Sequence, residues 1–142
     1  MTKSHNIILE ITNNTNEVMY YQSSWFDSGR VSDNFSIPEA ISPFSSIGVQ
    51  FYEKDISLAG CSGYITYILC NTLFTVAFSN PVSGRNKLGV GLDGKDVWNN
   101  MSFHNYDFFE ISMQLNNSKV ITCICKCTGG ETNHANITIN DN

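Results

Sequence analysis

The chain has 142 residues, the usual size of one domain, so a single hydrophobic core spanning residues 1–142 is expected. Hydrophobic residues make up 42% and charged residues 15%, enough apolar surface to offset chain entropy and exclude a disordered chain. A net charge of -5 argues against nucleic acid as a partner, because phosphate binding needs clustered Lys and Arg and the eight here are dispersed.

The first residues, MTKSHNIILEITNN, carry no charged leader followed by a long apolar run, and no stretch reaches membrane-spanning length. The expectation is a cytoplasmic protein, or one released without a conventional signal peptide, whose membrane contact is at most peripheral.

Two-residue alternation then dominates, and strands are predicted in order. Ile7, Leu9 and Ile11 form the first, ended by the turn-prone Asn13-Asn14-Thr15-Asn16. Val18 to Phe26 form an aromatic second strand that closes at Ser28-Gly29. Pro38 and Pro43 bracket a loop before Ile47 to Tyr52. Gly63 to Cys70 and Asn71 to Phe78 read as a buried hairpin. A glycine-rich stretch follows, with a short strand around Val90 to Leu92. The spacing of Val97, Met101 and His104 predicts a short helix within Asp96 to Asn105, capped by Asp96. The last three strands are expected near Phe108 to Gln114, Val120 to Cys127 and Ala135 to Ile139. The sum is an all-β chain, a two-sheet β-sandwich with one or two short helices.

Motifs that suggest catalysis or metal binding have plainer readings. Strand alternation puts Cys123, Cys125 and Cys127 on one face about 7 Å apart, too far to share a zinc, so they are expected as core residues. The odd set of five cysteines is read as reduced thiols. His5, His104 and His134 sit in separate regions with no nucleophile or carboxylate at a suggestive spacing. Gly89-x-Gly91-x-x-Gly94 precedes no long helix and reads as a turn-and-strand glycine set, not a dinucleotide loop. No enzyme, cofactor or metal is expected. What remains is hydroxyls beside aromatics, Ser23, Ser24, Trp25, Phe26 and Ser28 in one place and Trp98, Met101, Ser102, Phe103 and Tyr106 in another. Such groups suit sugar stacking or a lipid headgroup, unless the two tryptophans merely close the core.

With these residues in view the chain resembles the actinoporins and, more broadly, the superfamily of cytolysins and fungal fruit-body lectins. The matching pieces, in shared order from Ile7 to Ile139, are Ile11-Thr-Asn-Asn, Trp25-Phe26-Asp27-Ser28-Gly29, Ala59-Gly60-Cys61-Ser62-Gly63, Asn71-Thr72-Leu73, Phe78-Ser79-Asn80-Pro81, Val97 to His104 and Asn133 to Ile137. The resemblance implies a phosphocholine-type pocket in which Ser28, Ser62, Ser79 and Pro81 supply the polar wall, Trp98 and Phe103 stand where the family has tyrosines, and Ser102 takes a position normally held by a ring. Against a toxin, there is almost no room for the family's pore-lining helix before Ile7, Val82 to Lys87 lack the family's aromatic loop, and Asp27 replaces an arginine. The resulting expectation is recognition of a lipid headgroup or glycan without pore formation. The rivals are a cytolysin that forms homo-oligomeric pores on membranes and an intracellular protein-interaction scaffold.

Overall fold

The computed structural model describes residues 5–53, 59–102 and 108–141. In chain order the strands are β1 (Asn6–Asn14), β2 (Met19–Ser28), β3 (Arg30–Val31), β4 (Ala40–Ile41), β5 (Ser45–Tyr52), β6 (Cys61–Leu69), β7 (Thr72–Asn80) and β8 (Lys87–Gly91). After helix α1 (Gly94–Asn99) come β9 (Phe108–Gln114), β10 (Val120–Lys126) and β11 (Thr132–Asp141). They build the expected two-sheet sandwich, with order β3-β5-β1-β11-β10-β9 in the six-stranded sheet and β4-β2-β6-β7-β8 in the five-stranded one. All pairs are antiparallel except the central β1 and β11, which run parallel from Asn6↔Thr132 to Asn14↔Asn140.

Alternation decides which side chains meet between the sheets. Ile7, Leu9 and Ile11 of β1 are fully buried, as are Ile137 and Ile139 of β11 within 1%. Opposite them the β6–β7 hairpin turns through Cys70 and Asn71, both at positive φ (50° and 56°), the conformation of a two-residue hairpin loop. That turn sends Phe74, Val76 and Phe78 inward, and Phe78 stacks on Phe51 at 4.4 Å with the rings 12° apart. Cys123, Cys125 and Cys127 are fully buried core residues, as their alternation predicts. Burial pushes the Cys61 and Cys123 thiols up to about 12 and raises Cys125 as well. No disulfide joins the five cysteines.

Three details differ from the sequence reading. The Pro38–Pro43 loop contains the two-residue strand β4, too short to announce itself by alternation. Phe26 is half-buried against Phe51 and Phe78 and belongs to the core side of β2. The helix starts earlier and is shorter than the residue 96–105 span. Its cap is Asp93, whose Oδ1 accepts the Asp96 N–H at 3.0 Å. It ends at Asn100, which turns both its backbone N–H (3.1 Å) and its side-chain Nδ2 (2.8 Å) back onto the Asp96 carbonyl. Two residues later Ser102 pairs with Leu88 through backbone bonds of 3.1 Å in each direction, so the chain at Ser102 is extended rather than helical. His104 and Asn105, at the end of the expected helix, lie outside the described residues.

Candidate functional site

Register across the five-stranded sheet sets the polar row. Ser28 pairs with Ser62, Ser62 with Ser79, and Ser79 with Lys87. Their neighbours Cys61, Phe78 and Leu88 face the core, so the row lies on the outer face of the sheet. Trp98 reaches this row from α1, its indole Nε1 donating to Ser62 Oγ at 3.0 Å, and Ser62 Oγ donates in turn to the Phe78 carbonyl at 3.3 Å.

Beside the row stands an aromatic cluster. Trp25 is paired with Tyr64 across β2 and β6, with ring centroids 5.4 Å apart, and meets Trp98 edge-on at 5.2 Å and 85°. The three rings and Lys95 line an open cavity of about 180 Å³. Trp25 remains 41% exposed, and neither tryptophan belongs to the core between the sheets. Two glycines make this approach feasible. A Cβ at Gly63 would sit 2.2 Å from the Trp25 carbonyl oxygen, and one at Gly94 would sit 2.5 Å from Tyr64 Cε1. Any larger residue there would push β2 off β6, or α1 off the Tyr64 ring.

Ser28, Ser62 and Ser79 therefore fall in one row that Trp98 touches at Ser62, with Trp25 against Trp98, whereas Pro81 and Ser102 do not join them. Pro81 lines a separate cavity of about 580 Å³ at one end of the sandwich, with His5, Arg85, Asn86, Gly130 and Glu131. There the buried Asn80 and Asn86 side chains tie loops together through bonds to the carbonyls of Asn6, Glu131, Thr128 and Gly130. Ser102 lies beyond α1, in a groove of about 380 Å³ with Leu92, Val97, Phe109 and Ile111. Phe103 and Tyr106 are outside the described residues. Tyr64 and Lys95 were missed by sequence reasoning. Tyr64 becomes legible only once β6 is registered against Trp25, and Lys95 only once the helix is known to begin at Gly94.

The six-plus-five sandwich with one short helix laid over an outer face is a fold shared with solved structures of a lipid-binding protein and a lectin. Among solved structures, the lipid-binding protein Nakanori is similar with a TM-score of 0.76 and 10% identity, over 98% of this chain and 72% of that one. The lectin XCL of Xerocomus chrysenteron is similar with a TM-score of 0.58 and 12% identity, over 96% and 99% of the two chains. RahU protein, solved with a TRIS molecule, gives a TM-score of 0.61 at 10% identity, over 99% and 98%. At these identities the likeness is one of fold. No protein-family model matches the sequence, and no curated protein matches it significantly.

Proposed function

We infer that this chain is a non-enzymatic binding protein that holds a lipid headgroup or a glycan in the cavity between Trp25, Tyr64 and Trp98. The observation that carries this reading is the convergence of three rings, from two strands and a helix, around an opening to solvent with one cation, Lys95, on its wall. Ring faces attract a quaternary ammonium and also stack on the apolar face of a sugar. The Lys95 ammonium suits the phosphate of a phosphocholine-type headgroup and can equally donate to sugar hydroxyls. The cavity is small, which fits a headgroup or one sugar ring rather than an acyl chain.

Among the described residues, neither histidine lies at this place. His5 pairs with Glu53 at 3.3 Å, and the exposed His134 lies on β11 of the other sheet. Nakanori is a lipid-binding protein and XCL a lectin, so two proteins sharing the fold bind the two ligand classes proposed.

The chain has two tryptophans, and both line the cavity, so intrinsic fluorescence reports on the site directly. Titration with phosphocholine, a glycan panel and sphingomyelin-containing vesicles is expected to shift that emission with one of them. Trp25→Ala is expected to weaken the response by roughly 2 kcal/mol, about thirtyfold in Kd. Silence across all three ligand sets would remove the proposal.

A further inference from the structure

The charge of the aromatic cavity is opposite to that of the chain. Thirteen acidic side chains against eight basic ones leave the molecule at -5, yet among the described residues the lining of the cavity carries one ammonium, Lys95, and no carboxylate. The sequence around α1 explains why that ammonium stands without a counter-ion. On a helix the positions that meet one another are three and four residues apart, and those following Lys95 are Trp98 and Asn99. Asp93 and Asp96 are not at a spacing that faces it, and Asp93 already caps the helix by accepting the Asp96 N–H. Among the described residues no carboxylate pairs with Lys95, which is exposed and shares the cavity wall with the Trp98 ring.

The rest of the lining adds rings rather than charge. Trp98 has its indole N–H committed to Ser62, so what it offers a ligand is the ring itself. Trp25 and Tyr64 offer two more. A ligand seated among three rings with an ammonium on the wall needs an apolar face to stack and an oxyanion to meet the charge. A cationic group on the ligand works against it, because a quaternary ammonium drawn to the ring faces is set against Lys95. A sugar ring has an apolar C–H face, and a carboxylate or phosphate on that ring supplies the oxyanion without a cation. The cavity, about 180 Å³, has room for one such ring.

We propose that the cavity is a site for an acidic sugar and that Lys95 is the residue that selects the acid. This rests on the function proposed above and goes further by choosing between its two ligand classes. Stacking on Trp25, Tyr64 and Trp98 supplies affinity common to neutral and acidic sugars. The Lys95 ammonium adds a charge-assisted hydrogen bond that only the acid can accept in full.

Tryptophan emission of the full chain, titrated with methyl glycosides in matched pairs, tests this. The pairs are glucuronide with glucoside and galacturonide with galactoside, whose members differ only in the carboxylate. In at least one pair the acid is expected to bind about tenfold more tightly at low salt, a margin that narrows as salt is raised. Lys95→Gln is expected to bring the two members of that pair to the same affinity, and Lys95→Arg to keep most of the margin. The readout is a ratio between two ligands on one folded protein, so a general loss of stability does not imitate it. Equal affinity within both pairs, a margin that survives Lys95→Gln, or a response to phosphocholine with none to the acidic sugars would each overturn the proposal while leaving the cavity a binding site. Silence to every ligand would overturn it together with the function it rests on.

Discussion

The two outer faces of the sandwich start from the same pleated geometry and end differently. On the six-stranded sheet, outward side chains satisfy one another across strands, Thr12 with Ser46 at 2.7 Å, Ser112 with Thr122 at 2.9 Å, and Asn14 with Asn140 at 3.1 Å. The five-stranded sheet does the same at Thr66 and Thr75, 3.0 Å apart and buried. Beside that pair it changes character. α1 crosses the sheet, Trp98 takes up the Ser62 hydroxyl, and the Trp25 and Tyr64 rings are left with a cavity between them. A sheet face gains a cavity where a helix roofs it incompletely. The face without a roof stays a lattice of small, mutually bonded groups.

Perturbations of different size separate the scaffold common to both faces from what is special to one. Phe78→Ala removes a ring stacked on Phe51 at the centre of the core. It is expected to cost roughly 3–5 kcal/mol, and to collapse both faces together in a thermal melt followed by circular dichroism. The layer between the faces is also sensitive to alkali. Cys61 and Cys123 titrate at about 12 in the folded chain against an ordinary 9.0, so their contribution to stability is complete below pH 9 and lost as pH rises toward 12. Denaturant unfolding at pH 9 and pH 10 is expected to differ by roughly 1 kcal/mol for each such thiol, and replacing both with Ala should remove that part of the slope.

Gly63→Ala is the first perturbation confined to one face, since its Cβ would collide with the Trp25 carbonyl oxygen. A loss of roughly 2–3 kcal/mol is expected, with a shift in tryptophan emission as β2 moves. Trp98→Phe deletes the indole donor to Ser62 and is expected to cost about 1 kcal/mol in stability while weakening ligand response. Thr12→Val on the opposite face breaks one exposed hydroxyl pair, and its melt is expected to stay within about 0.5 kcal/mol of the parent without any change in ligand response. If Thr12→Val altered binding as Trp98→Phe does, the functional distinction between the faces would fail.

Much of the scaffold was readable from two-residue alternation, because a strand buried on one side must write that period into its residues. The hairpin through Cys70 and Asn71 and the inward Cys123, Cys125 and Cys127 are instances. Two-residue strands such as β4 contain too few positions to show a period. The cap of α1 was misplaced because Asp93 and Asp96 are both competent caps, and only the bond from Asp96 N–H to Asp93 Oδ1 decides between them. Of the cavity's lining, only Trp98 was among the residues assigned to the pocket from the sequence; Ser28, Ser62 and Ser79, assigned with it, fall in the cross-strand row beside the cavity, joined to it by the bond from Trp98 to Ser62. Pro81 and Ser102 were grouped with them, yet Pro81 lies past the end of β7 and Ser102 on the far side of α1. Tyr64 depends on the register of β6 against β2, a long-range property that no local pattern encodes.

The parallel pairing of β1 with β11 has a consequence for the birth of the molecule. Asn14 and Asn140, joined side chain to side chain, are 126 positions apart in the chain, and β11 sits between β1 and β10 in the middle of its sheet. While the polypeptide emerges from the ribosome, β1 and β5 can pair, but the sheet stays split until the final strand threads into the gap. The β6–β7 hairpin, with neighbouring partners, has no such wait. Folding of the nascent chain is therefore ordered, with the layer that carries the aromatic cavity able to form before the layer that backs it.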